Sequence, residues 1–189
     1  MNLFFFGGTF DPPHLGHYYI VKKCLKRCDK IIVIPNKLPV DKVNVTAKSI
    51  HRFNMLKILF NNLNVEIDDF ELYSKKKNYT FHTIKYLINK YKDAKITMVV
   101  GQDQIYKLKN WYRSNEIMNL IDIVCFNRQV KVTESINSSF NLKKIEKFNI
   151  NISSTQLRKV LKTNNYSQAE KYTHIDVIDY IRKNNLYVR

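Results

Sequence analysis

Apolar residues are distributed along the chain in two patterns that alternate. Unbroken runs, Leu3-Phe4-Phe5-Phe6 and Ile31-Ile32-Val33-Ile34, suit strands covered on both faces, as in a parallel sheet. They predict strands over 3–6 and 30–35, and weaker runs add strands over 65–67, 95–100, 121–125 and 145–150. Between the runs, apolar residues are spaced for one helix face. Residues 15–28 carry Ile20, Val21, Cys24 and Leu25 with lysines between them. Further helices are expected over 49–62, from an N-cap at Thr80 to about 91, from Ile152 onward, and over 172–187. The stretches 36–48, 68–77 and 129–143 read as loops. Five strand–helix units in alternation give an α/β fold with a doubly wound parallel sheet.

At 189 residues and 44% hydrophobic content, the chain suffices for one domain with a sizeable core. A single Rossmann-like domain over 1–189 is expected, with its C-terminal helical segment from about 152. No apolar run is long enough to span a membrane. The first strand begins at residue 2 or 3, so neither a leader nor a membrane partner is expected. Cys24, Cys28 and Cys125 form no disulfide framework, which fits the cytoplasm. Cys24 and Cys28 lie one turn apart with no second pair beside them, so they read as packing and no metal site is expected.

A net charge of +16 attracts anions of every size. The sequence has no arginine-rich arm, zinc-finger spacing or aromatic RNP motif, so no nucleic-acid partner is expected. Such a field would steer triphosphates. Nothing in the sequence sets the oligomeric state, and a homo-oligomer stays open. Glycine is scarce: three of the four, Gly7, Gly8 and Gly16, fall in one stretch, and the fourth is Gly101.

That stretch is Gly7-Gly8-Thr9-Phe10-Asp11-Pro12-Pro13-His14-Leu15-Gly16-His17. It joins the first strand to the first helix, where an open α/β sheet binds nucleotides. Residues without a Cβ let backbone N–H groups approach a phosphate. His14 and His17, three apart, can present imidazoles to one side. Near the other end, Ser153, Ser154 and Thr155 open a helix, and Arg158 lies one turn inside. Hydroxyl caps, free N–H groups and a guanidinium fork suit phosphate oxygens.

The first string resembles the HxGH signature of the nucleotidylyltransferases, and Ile152-Ser153-Ser154-Thr155-Gln156-Leu157-Arg158 resembles their I-S-S-T-x-I-R motif, with Leu157 for Ile. Asn78-Tyr79-Thr80-Phe81-His82-Thr83 resembles the S-Y-T-x-D-T string of the nicotinate-nucleotide adenylyltransferases, with Asn78 for Ser and His82 for Asp. Gly101-Gln102-Asp103 matches their G-x-D, and Trp111 stands where they stack an aromatic on the pyridine ring. Arg128 sits at an Arg-Pro position, with Gln129 for the proline.

The resemblance implies adenylyl transfer from ATP to nicotinate mononucleotide, giving deamido-NAD and pyrophosphate in NAD biosynthesis, with Mg²⁺ carried by ATP. His14, His17 and Arg158 would be catalytic. Gly7, Gly8, Thr9, Phe10, Gly101, Asp103, Ser153, Ser154 and Thr155 would join His17 and Arg158 around ATP. Lys42, Arg52, Tyr79, Thr80, Trp111 and Tyr112 would hold the mononucleotide. Read from the residues alone, Lys42 is equally a solvated loop lysine, Arg52 a surface helix arginine, and Asp103 a helix cap. Phosphopantetheine and nicotinamide mononucleotide remain alternative acceptors, and RNA binding without catalysis would explain the charge but neither phosphate motif.

Overall fold

The run Leu3-Phe4-Phe5-Phe6 is apolar throughout because both faces of its strand are covered. Phe4 and Phe6 enter one core and Leu3 and Phe5 the other, as the two-residue period of a strand requires. The computed structural model describes residues 1–37, 45–74, 77–127, 142–147 and 150–188, with side chains omitted at Gln102, Asp103, Asn127 and 142–147. Among these residues, β1 (Asn2–Gly8), β2 (Lys30–Pro35), β3 (Glu66–Ile67), β4 (Lys95–Gly101), β5 (Asp122–Asn127) and β6 (Leu142–Lys147) form one sheet. Its order is β3-β2-β1-β4-β5-β6, and every pair is parallel. The doubly wound α/β expectation is met.

One face is covered by α1 (Leu15–Cys24), α2 (Ser49–Leu59), α6 (Ser154–Lys162), α7 (Tyr166–Ala169) and α8 (Ile175–Lys183). The other is covered by α3 (Thr80–Lys90) and α5 (Ser114–Leu120). Each helix turns an apolar stripe inward, such as Ile20, Val21 and Cys24 on α1 or Ile84 and Leu87 on α3. No described helix is long and apolar enough to cross a membrane.

Several boundaries differ from the sequence pattern. The first helix ends at Cys24, not at 28. Its last turn tightens to three-residue hydrogen bonds, and the Asp29 N–H donates to the Asn2 carbonyl, which draws the chain toward β2. α2 stops at Leu59 by the same tightening, with Asn61 N–H donating to Ile58 O. The last strand begins three residues early, at Leu142, and pairs with β5 through a register shift at Ile123/Val124. Between β4 and β5 the chain forms α4 (Gln102–Ile105), a 3-10 turn over Leu108–Asn110 and α5, all too short to show a period. The expected helix over 172–187 is α8 alone. Asn164, Asn185 and Tyr187 take left-handed backbone values that break the tail into short pieces.

Candidate active site

The chain leaves β1 toward β2 and β3, and leaves β4 toward β5 and β6. The carboxyl ends of β1 and β4 are therefore the topological switch point, where helices diverge and a crevice opens. A cavity of about 1020 Å³ lies there.

Its floor is the turn after β1. Phe10 adopts φ 51 and folds its ring back against Phe6 (centroids 5.4 Å apart) and His17 (4.9 Å). A Cβ on Gly8 would stand 2.9 Å from that ring, so glycine here makes room for Phe10. Gly16 makes room for His14 in the same way, since its Cβ would meet the imidazole at 2.8 Å. His14 is buried and its ring stacks on His17 with centroids 3.7 Å apart. The His14 N–H donates to His17 Nδ1 at 3.1 Å. A neutral imidazole that accepts at Nδ1 carries its proton on Nε2, so His17 keeps an Nε2–H donor in a side chain that lines the cavity.

Distant segments hold this turn by its carbonyls. The Asp11 carbonyl accepts from Arg158, the Pro12 carbonyl from Ser154 Oγ at 2.9 Å, and the Pro13 carbonyl from Thr173 Oγ1 at 3.2 Å. Leu15 N–H donates to Tyr172 O at 2.7 Å. The Asp11 side chain is buried and accepts from Thr46 N–H (2.7 Å), Ala47 N–H (3.1 Å) and the Tyr187 hydroxyl (2.7 Å). Burial pushes the Tyr187 phenol well above its ordinary range, and Asp11 adds to the shift. Asp11 was in the motif string but had no assigned role. Acceptance of two backbone N–H groups 35 and 36 residues away leaves no local pattern.

Arg52 corrects the sequence reading. It is 0% exposed, so it is no surface arginine, and it does not line the cavity. Its Nε donates to Ala47 O (3.1 Å), Nη1 to Thr9 O, and Nη2 to Asn36 O (2.7 Å) and Lys37 O (3.0 Å). Four donors of the fork are thereby used on backbone, tying the β1 turn to the end of β2 and the entry of α2. Burial lowers its pKa, and Asp11 and Tyr187 act against that shift. Lys42 and Arg128 lie outside the described residues.

One wall of the cavity is the start of α6. Ser153 is the cap: its Oγ accepts from Gln156 N–H at 3.2 Å, and Gln156 Oε1 accepts from Ser153 N–H at 2.9 Å. The next two N–H groups, of Ser154 and Thr155, have no partner among the described residues, and both residues line the cavity beside Arg158. The other wall is the start of α3 with Trp111 and Tyr112. Tyr79, not Thr80, holds the cap position, without a side-chain cap bond. The Thr80 and Phe81 N–H groups likewise have no partner among the described residues. Tyr79 and Tyr112 pack with centroids 4.7 Å apart. Exposed His82 stands behind them, 5.9 Å from Tyr112, and is not a lining residue. Gly7, Thr9 and Gly101 also line the cavity. Gly101 is itself the cap of α4, so Asp103 lies inside that helix and is not its cap; the Asp103 side chain lies outside the description.

Sequence reasoning missed Glu71. It is buried in the cavity wall and accepts from Thr83 Oγ1 at 2.6 Å, and burial pushes its carboxyl up to about 7. The available signal was an acid between Phe70 and Leu72 in a stretch read only as polar loop.

A family model described as cytidylyltransferase-like matches residues 5–160. The chain is 36% identical to a protein of Aliarcobacter butzleri named "Probable nicotinate-nucleotide adenylyltransferase", over 86% of this chain and 89% of that one. It is 31% identical to a protein of the same name from Caldicellulosiruptor saccharolyticus, over 99% of each. Its fold matches the Plasmodium falciparum nicotinic acid mononucleotide adenylyltransferase complexed with NaAD, with a TM-score of 0.83 and 27% identity over 98% of this chain and 97% of that one. With the switch-point cavity, the stacked histidines and end-to-end likeness in agreement, the chain belongs to the nicotinate-nucleotide adenylyltransferases of the cytidylyltransferase-like family.

Proposed function

We propose that this chain transfers the adenylyl group of ATP to nicotinate mononucleotide, and that the two open helix starts divide the substrates between them. The observation that carries this reading is one cavity lined by both the α6 start with Arg158 and the α3 start with Trp111 and Tyr112. Each helix start favours an anion. The α6 start takes the β and γ phosphates of ATP, where Arg158 adds charge. Gly7, Gly8, Thr9, Phe10 and Gly101 line the ATP side, and Asp103 is assigned there as well. The α3 start takes the pyridine carboxylate, and Trp111 stacks on the ring. Arg52 serves this end by holding the turn and not by touching ligand.

The mononucleotide phosphate oxygen attacks the ATP α-phosphorus in line. The bond to the bridging oxygen breaks, and pyrophosphate leaves with the electron pair. A phosphate is already a nucleophile near neutral pH, so positioning and charge stabilisation supply the catalysis. His17 donates Nε2–H to the charge that grows on the α-phosphate, and His14 sets its ring plane. Mg²⁺ would enter with ATP as part of the substrate and would offset charge on its phosphates beside Arg158.

The test is pyrophosphate release from Mg-ATP with nicotinate mononucleotide, nicotinamide mononucleotide or phosphopantetheine as the sole acceptor. The acid mononucleotide should be preferred by at least about tenfold in kcat/KM, because an amide leaves one N–H unsatisfied. His17→Ala should lower turnover by about a hundredfold or more, comparable to losing one preorganised donor. Release with phosphopantetheine alone, or a folded His17→Ala protein with near-normal turnover, would refute the assignment.

A further inference from the structure

Glu71 is a carboxyl of the cavity wall whose titration the proposed reaction leaves unused. Its only hydrogen bond among the described residues comes from Thr83 Oγ1. Thr83 lies three residues inside α3 from Thr80, about 4.5 Å along the axis at the helical rise. Glu71 therefore sits against the first turn of the helix whose start, at Tyr79 and Thr80, lines the cavity.

No cation faces it. On its own turn Asp68 adds negative charge, and that charge is already met by Lys90 Nζ at 2.8 Å and the Tyr86 hydroxyl at 2.9 Å. Lys90 is shared with Glu66. On α3, Thr83 is neutral, Tyr79 lines the cavity, and exposed His82 stands behind Tyr79 and Tyr112. From the end of β2 come Asn36 and Lys37, whose Nζ donates to Ser74 O at 3.1 Å. From the β1 turn, Asp11, His14 and His17 line the same cavity, and the Asp11 carboxylate is held by Thr46 N–H, Ala47 N–H and the Tyr187 hydroxyl.

We propose that Glu71 is a specificity-determining residue that couples acceptor charge to a proton: it is neutral while an anionic pyridine carboxylate occupies the α3 end of the cavity, and it is released to titrate when that anion leaves. The proposal rests on the acceptor placement given above. Two carboxylates at one helix start cannot both stay ionised at low cost, so one takes a proton. A pyridine carboxylate is the stronger acid, so the proton goes to Glu71. With its carboxyl at about 7, Glu71 is close to half protonated at neutral pH, and the arriving anion completes the protonation. An amide-bearing acceptor makes no such demand.

The test is calorimetric titration of the full chain with acid and amide mononucleotides between pH 6 and 8.5, in two buffers of different ionisation enthalpy. The acid should take up about half a proton more per molecule bound at pH 7 than the amide does. The acid-to-amide affinity ratio should fall about five- to tenfold from pH 6 to 8.5, for a carboxyl raised about one unit by binding. Titration of the mononucleotide phosphate is common to both ligands and cancels in that ratio. Glu71→Gln should flatten the ratio. Thr83→Val removes the donor that favours the ionised form and should move the fall to higher pH, which keeps the test decisive if the first variant does not fold. A ratio well above one that ignores pH in the wild type, or that falls equally in Glu71→Gln, overturns the proposal. A ratio near one at pH 6 overturns the acceptor placement and this proposal with it.

Discussion

Replacing Arg52 by methionine should damage the whole site through the backbone. The side chain keeps its length and loses its fork, leaving the carbonyls of Thr9, Asn36, Lys37 and Ala47 without their donor. A hydrogen bond from a charged donor contributes about 1.5–3 kcal/mol net. Four at full value would exceed what a single buried charged group supplies, and water can reach exposed Lys37 and half-buried Thr9. Ala47 is buried, so its carbonyl recovers least. Asp11 and Tyr187 also lose the positive charge that acts on them. Together these give a loss of about 3–5 kcal/mol, the range for removing one member of a buried charged cluster. For a chain of this length that lowers Tm by on the order of 10 °C. Differential scanning fluorimetry and urea titration measure it directly. Steady-state kinetics at low temperature, where the variant is folded, should show lower kcat and higher KM for both substrates, because the β1 turn and the end of β2 are loosened together. A wild-type Tm with a raised KM for the mononucleotide alone would refute this reasoning and return Arg52 to the role of a ligand contact.

Two further outcomes follow from the same geometry. Gly16→Ala drives a Cβ to 2.8 Å from the buried, stacked His14 ring, so kcat should fall at least about tenfold in a protein that still folds, and a wild-type kcat would show that the ring pair can shift without cost. Trp111→Ala should raise the mononucleotide KM and leave the ATP KM nearly unchanged, and Trp111 fluorescence should respond to the mononucleotide and not to ATP alone; equal effects on both substrates would mark Trp111 as core packing against the α3 side of the sheet.

By itself the sequence determined the strands and the turn at the heart of the site. A parallel strand needs apolar residues on both faces, so Ile31-Ile32-Val33-Ile34 could hardly be read otherwise. A string of eleven residues from Gly7 to His17 and the Ser153 cap depend on neighbours a few positions away, and local order makes such signals legible. Tertiary structure alone decided which polar side chains serve the ligand and which serve the fold. Arg52 looked like an anion contact until four carbonyls from separate segments were found around it. Asp11 had no visible task until Thr46, Ala47 and Tyr187 reached it across 35, 36 and 176 positions. Glu71 passed for loop polarity until burial and the Thr83 hydroxyl of α3 gave it a place in the cavity wall. A charged group's role is set by its burial and by the partners that remain for it, and both are fixed by contacts between residues far apart in the chain.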